Sequence, residues 1–153
     1  MSVTKALFSL AVLVALGAAD NPPFHGYYDQ CFQTNILGTA EPFLILESNC
    51  NTPPMGPPWI CSQLDLNHCI ENHKGTMQQG SDIVNGKTPG FGGSCDNCEL
   101  NGSVLSCDCQ NVHNSKQRSS IDTNDIIMND NGYLTCVLQK GQTVTADKCP
   151  PDQ

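Results

Sequence analysis

The chain has 153 residues, with 7 Lys and Arg against 15 Asp and Glu, which gives a net charge of −8 at neutral pH. An acidic chain of this kind repels phosphate backbones and anionic lipid, which argues against nucleic acid and membrane partners and leaves neutral or cationic ones. The length suits one domain or two small intertwined halves, and 10 cysteines give it a covalent frame.

The N-terminus runs from the lone positive charge of Lys5 through apolar Ala6 to Leu16 into small Gly17-Ala18-Ala19. This order predicts a secretory signal peptide over residues 1–19, with residues 20–153 as the mature chain. The alternative, a buried N-terminal helix, lacks a cap and a polar face, and the run is too short to span a membrane. Behind a signal peptide, an even cysteine count reads as the disulfide framework of a secreted, extracellular protein.

Next come short apolar runs rather than helical periodicity. Pro42 to Ser48 (PFLILES) has the length and composition of a strand. Thr52 to Trp59 (TPPMGPPW) holds four prolines and cannot be a central strand or a helix interior. Gln79 to Gly93 reads as a Gly-rich linker. Asn101 to Cys107 and Gly132 to Leu138 are further strand candidates. Turns are expected at Asn85-Gly86, Asn101-Gly102 and Asn131-Gly132. The class is all-β.

One phrase occurs twice. Ser62 to Met77 (SQLDLNHCIENHKGTM) recurs at a constant offset of 57 as Ser119 to Leu134 (SSIDTNDIIMNDNGYL). Ser62/Ser119, Asp65/Asp122, Asn67/Asn124, Ile70/Ile127, Asn72/Asn129 and Gly75/Gly132 are identical. Leu64, Leu66, Cys69 and Ile70 suit one tight helical turn with an inward face, capped by Asp65 or Asn67. The Asn-x-x-Gly end supplies a bend into a strand. Upstream, Cys31 precedes Ile36 as Cys95 precedes Leu100, and a second cysteine, Cys50 or Cys109, follows in each copy. Two repeats, about 28–79 and 94–138, are each too small to bury a core alone, so they are expected to pack on one another, with a tail over 139–153.

On these residues the chain resembles the cyanovirin-N homology (CVNH) family, especially its fungal members. The resemblance rests on YYDQC leading to Cys50 and LDLNHCIENHKGTM, then SCDNCELNGSVLSCDC leading to SSIDTNDIIMNDNGYLTC. It covers most of Tyr28 to Cys136; the Pro-rich insert, the long linker and the tail depart from the compact form. It implies a cyanovirin-N-like fold of two pseudo-symmetric modules, each a three-stranded sheet plus hairpin, with strand exchange between the tandem repeats. It also implies a lectin, which binds mannose-rich oligosaccharides on a cell wall or glycoprotein without enzymatic activity or cofactor.

The resemblance implies bridges Cys31–Cys50 and Cys95–Cys109. Cys98 and Cys107 carry a local argument: a four-residue loop over Asn101 to Val104 sets them opposite one another, and a bulge near Asp96-Asn97 absorbs the one-residue slip to Cys95 and Cys109. Strand exchange would bring Cys69 to Cys136 and leave Cys61 for Cys149, with Cys61–Cys69 as the alternative. Cys95-x-x-Cys98 with Cys107-x-Cys109 is also a four-thiolate zinc pattern, although its second spacing is short and the secretory route favours oxidation.

Sugars are read by amides, carboxylates and backbone groups that take vicinal hydroxyls in pairs. The positions implied for one module are Asp29, Gln30, Asn51, Asn129, Asp130 and Asn131. Those for the other are Glu71, Asn72, Ser94, Gln110 and Asn114. Asn72 and Asn129 also have a purely structural reading, as turn residues. Gln110 and Val112 stand where the family commonly has basic residues, which favours the Asn129–Asn131 cluster, although Pro53 reshapes the edge beside Asn51. His25, His68, His73 and His113 form no metal or catalytic pattern. Asn101-Gly102-Ser103 is an N-glycosylation sequon on a turn. A monomer and a strand-exchanged dimer are both open. The rival functional readings are a secreted, effector-like interaction protein that kept the fold and lost sugar binding, and a zinc domain.

Overall fold

Strands that alternate inward and outward residues build the molecule. In strand β2 (Ile45–Asn51), Leu46, Ser48 and Cys50 are buried while Ile45, Glu47, Asn49 and Asn51 face outward. The computed structural model describes residues 26–38, 44–82, 90–139, 141 and 143–149. The leader expected over 1–19, His25 and the Asn85-Gly86 turn lie outside the described residues.

β2 is flanked by β1 (Cys31–Leu37) and β3 (Trp59–Asp65) in an antiparallel sheet. The chain then makes a 3₁₀ turn, Leu66–His68, and a hairpin of β4 (Ile70–His73) and β5 (Thr76–Gln79). The second repeat follows the same plan. β6 (Cys95–Asn101), β7 (Val104–Gln110) and β8 (Lys116–Asp122) form its sheet. A 3₁₀ turn, Thr123–Asp125, leads to the hairpin of β9 (Ile127–Asp130) and β10 (Tyr133–Val137). The tail adds more than the sequence announced: β11 (Thr143–Thr145) pairs with β10, and β12 (Asp147–Lys148) extends the first sheet beyond β3. No helix among the described residues is long and apolar enough to cross a membrane.

The repeated phrase is spelled out atom by atom. Asp65 caps its turn by accepting from the Asn67 N–H at 2.9 Å, and Asp122 accepts from the Asn124 N–H at 3.0 Å. The same asparagines tie each turn to the start of the other repeat. Asn67 Oδ1 accepts from the Gly92 N–H at 2.8 Å, and Asn124 Oδ1 accepts from the Tyr28 N–H at 2.9 Å. These approaches are close enough to require glycine: a Cβ on Gly26 would lie 1.9 Å from Asn124 Oδ1, and one on Gly90 2.7 Å from Asn67 Oδ1.

Hairpins exchange between repeats. The Met77 N–H of β5 donates to Ser119 of β8 at 2.8 Å, and the Leu134 N–H of β10 donates to Ser62 of β3 at 3.0 Å. One core results, drawn from both repeats, with Tyr27, Leu46, Leu66, Phe91, Leu105, Ile127 and Leu134 fully buried. At about 1.5–3 kcal/mol for each large side chain, this shared interior makes the two halves mutually dependent.

Five disulfides close the frame: Cys31–Cys50, Cys61–Cys149, Cys69–Cys136, Cys95–Cys109 and Cys98–Cys107. Cysteine 61 therefore pairs with the tail and not with Cys69, and no free thiol remains, so the zinc reading of Cys95, Cys98, Cys107 and Cys109 is corrected. The register of β6 on β7 shifts between Asp96 and Glu99, with Asn97 at φ 50° in the bulge. The turn is tighter than the four-residue loop read from sequence: Asn101 pairs with Val104, and only Gly102-Ser103 connects the strands. In the first module a hydroxyl pair, Thr34 and Ser48 at 2.7 Å, occupies the place of Cys98–Cys107.

Candidate functional site

The first module ends in an open cleft of about 270 Å³, lined by Gln30, Asn51, Thr52, Pro53, Asn129 and Asn131. Three segments converge there: the approach to β1, the end of β2, and the β9–β10 bend. The Asn51 N–H donates to the Gln30 carbonyl at 3.0 Å and fastens the first two together. Asn129 fastens the third. Its amide nitrogen donates to the Asn51 carbonyl at 2.8 Å and to Gln30 Oε1 at 3.4 Å, while its Oδ1 accepts from the Gly132 N–H at 2.7 Å.

Asn129 is thus mainly a brace. The Asn51 side chain, by contrast, is exposed and has no hydrogen-bond partner among the described residues. Asn131 sits at φ 56°, left-handed as the bend requires, and its amide donates to Asp130 at 2.8 Å. Asn51 and Asn131 therefore offer amide edges to the cleft, and Asp130 is tied to Asn131 beside it. Asp29 is exposed, two residues before β1, and does not line the cleft.

The second module repeats the brace. Asn72 donates to the Gln110 carbonyl at 3.0 Å and to Ser94 Oγ at 2.8 Å, and accepts from the Gly75 N–H at 2.7 Å. Its cleft, of about 330 Å³, takes in Ser94 and Gln110 together with Asp96 and Lys116. Glu71 is occupied elsewhere, accepting from Gln78 and from the Ser81 backbone and hydroxyl. Partial burial pushes its pKa up, but those hydrogen bonds and nearby His73 outweigh this and hold the carboxyl below its usual range. Gln110 donates one amide N–H to Asn114 Oδ1 at 3.1 Å.

Of the positions expected from sequence, Gln30, Asn51, Asn129 and Asn131 meet in one cleft, and Asp130 stands outside its lining, hydrogen-bonded to Asn131. Ser94 and Gln110 meet in the other, while Glu71, Asn72 and Asn114 stand outside its lining. Pro53, singled out beside Asn51, is in the first cleft's lining, while sequence reasoning missed Thr52 in the same cleft and Lys116 in the second. Lys116 restores a cation there, ion-paired to Asp96. Its signal was its place at the 57-residue offset from Trp59, at the head of the third strand of its sheet. Asn101 is exposed at the hairpin tip.

The fold is thus a strand-exchanged pair of modules, each with a cleft beside a braced bend. The sequence model of the CVNH domain matches residues 27–135 and again 91–149, and the chain belongs to this family. The second match begins where the second repeat begins, as a tandem repeat requires. Among solved structures, a MoCVNH3 variant in complex with (N-GlcNAc)4 is 18% identical, with a TM-score of 0.60 over 73% of this chain and 97% of that one. The CVNH protein of Gibberella zeae is 20% identical, with a TM-score of 0.56 over 72% and 95%. The microvirin–mannobiose complex is 22% identical, with a TM-score of 0.55 over 70% and 94%. At these identities the likeness establishes the fold. No curated protein matches the chain.

Proposed function

We propose that this protein is a secreted lectin that binds mannose-rich oligosaccharides and does no chemistry on them. The observation that carries the reading is the first cleft. It holds an exposed, unpartnered Asn51 amide and Asn131, itself hydrogen-bonded to Asp130, on a frame braced by Asn129. Such edges match pairs of vicinal hydroxyls on a neutral ligand. Two similar folds were solved with sugars, mannobiose in one and (N-GlcNAc)4 in the other. Five disulfides suit the oxidising route expected from the leader, with residues 20–153 acting as one binding unit. The ligands would be glycans of a cell wall or glycoprotein, and the first module would be the stronger site.

The second module favours the alternative reading, an interaction protein that kept the fold and lost sugar binding. Its Gln110 amide donates to Asn114 Oδ1, and Glu71 is engaged by Gln78 and Ser81. Calorimetric titration of the oxidised mature protein with α1,2-linked mannobiose separates the two. One saturable site supports a lectin acting through the first module. Flat heat from a folded sample supports the alternative.

A further inference from the structure

The outward faces of the two sheets share a register and carry opposite chemistry. Trp59 opens β3 as Lys116 opens β8, and Phe32 follows Cys31 as Asp96 follows Cys95. In the second module these positions form the Lys116–Asp96 ion pair. In the first they are aromatic: Phe32 and Trp59 meet edge to face, with centroids 6.1 Å apart and planes at 84°. Both rings remain open to solvent, 42% and 50% exposed. An ion pair serves the same register in the other module, so the sheet itself does not demand aromatics here.

The pair adjoins the first cleft. Trp59 lies directly opposite Asn51 across β2 and β3, and Asn51 lines the cleft. Opposed side chains in such a pair sit about 5 Å apart at Cβ. Amides flank the rings: Phe32 is opposite Asn49, whose amide donates to Gln33 Oε1 at 2.8 Å in the neighbouring bulge. A pyranose carries C–H groups on its ring faces and hydroxyls at its rim. The electron-rich face of an aromatic ring takes the former, and amides take the latter.

We infer that Phe32 and Trp59 extend the first cleft and stack on the second or third ring of an oligosaccharide whose terminal ring sits at Asn51 and Asn131. This rests on the lectin reading and adds to it a preference for chains longer than a disaccharide.

Trp59 is the single tryptophan of the chain, so its emission reports on this patch alone. The test titrates the oxidised mature protein with α1,2-linked mannobiose and with the linear mannotetraose, by calorimetry and by fluorescence. The tetraose is expected to bind about tenfold tighter than the biose and to shift the emission to the blue. Trp59→Ala keeps the biose affinity and loses the tetraose gain. The double variant Phe32→Asp/Trp59→Lys, which copies the other module's pair, behaves as Trp59→Ala does in calorimetry. Equal tetraose affinity in wild type and Trp59→Ala, with silent emission, overturns the extension and leaves the lectin reading standing. Emission that moves with protein concentration and not with sugar overturns it in favour of self-association. Failure of wild type to bind either sugar overturns both.

Discussion

The backbone N–H of Leu134 donates to the buried hydroxyl of Ser62 at 3.0 Å, a bond between a hairpin of the second repeat and the sheet of the first. Met77 and Ser119 make the mirror bond at 2.8 Å. Ser62→Ala therefore leaves a buried donor without a partner, which costs about 1–3 kcal/mol. Ser119→Ala falls in the same range. Denaturant unfolding of the oxidised protein reads both losses.

A second symmetric pair differs in polarity. Tyr27 packs on Thr123 with its hydroxyl at 2.9 Å, while the equivalent residues of the other half, Phe91 and Leu66, are apolar and also buried. Thr123 donates to the Ser103 carbonyl at 2.7 Å, so the tyrosine is the donor to threonine. Tyr27→Phe removes one buried hydrogen bond, a loss of about 1 kcal/mol. The double variant Tyr27→Phe/Thr123→Leu copies the other half and is expected to recover part of it, as a double-mutant cycle would measure.

Tyr27 also sets an alkaline limit. Burial is the largest cause that raises its pKa, and the nearby Asp122 carboxylate acts in the same direction. The folded value lies above the unfolded one, so its contribution is complete below about pH 10 and falls as pH rises toward the folded value. Unfolding midpoints measured between about pH 9 and 11 should drop for wild type and drop less for Tyr27→Phe.

The disulfides are unequal by loop length. Cys98–Cys107 closes 9 residues and Cys69–Cys136 closes 67. On chain entropy, removing the first costs about 2–3 kcal/mol and removing the second about 4 kcal/mol. Cys98→Thr/Cys107→Ser, which copies the Thr34–Ser48 hydroxyl pair, should fold and stay near the low end of its range. Thermal unfolding of the two variants side by side checks the order.

The repeated phrase was legible because its work is local. Asp65 and Asp122 cap their own turns, and Asn72 and Asn129 hold their own bends through Gly75 and Gly132. Cys98 opposite Cys107 was likewise readable from one hairpin. What depended on partners distant in sequence was not. Asp147-Lys148 is too short to show a strand period, and it becomes β12 only because β3 offers an edge. Nothing local revealed that the Asn129 amide would be taken by the Asn51 carbonyl, which leaves Asn51 and not Asn129 as the free side chain. The contrast of Phe32–Trp59 with Asp96–Lys116 emerges only once the sheets fix which residues stand side by side.

That division separates two variants of the first cleft. Asn51→Ala removes an exposed side chain without a protein partner, so stability should stay within about 0.5 kcal/mol while sugar affinity falls. Asn129→Ala strips the brace and should lose about 1–3 kcal/mol of stability along with affinity. Calorimetry paired with thermal unfolding distinguishes them.

Amide-resolved NMR of the oxidised mature protein, titrated with α1,2-linked mannobiose, tests sugar binding in the first module most directly. Saturable shifts centred on Gln30, Asn51, Asp130 and Asn131 are the predicted result. Shifts confined to Ser94, Gln110 and Lys116, or a spectrum that does not move, would contradict it.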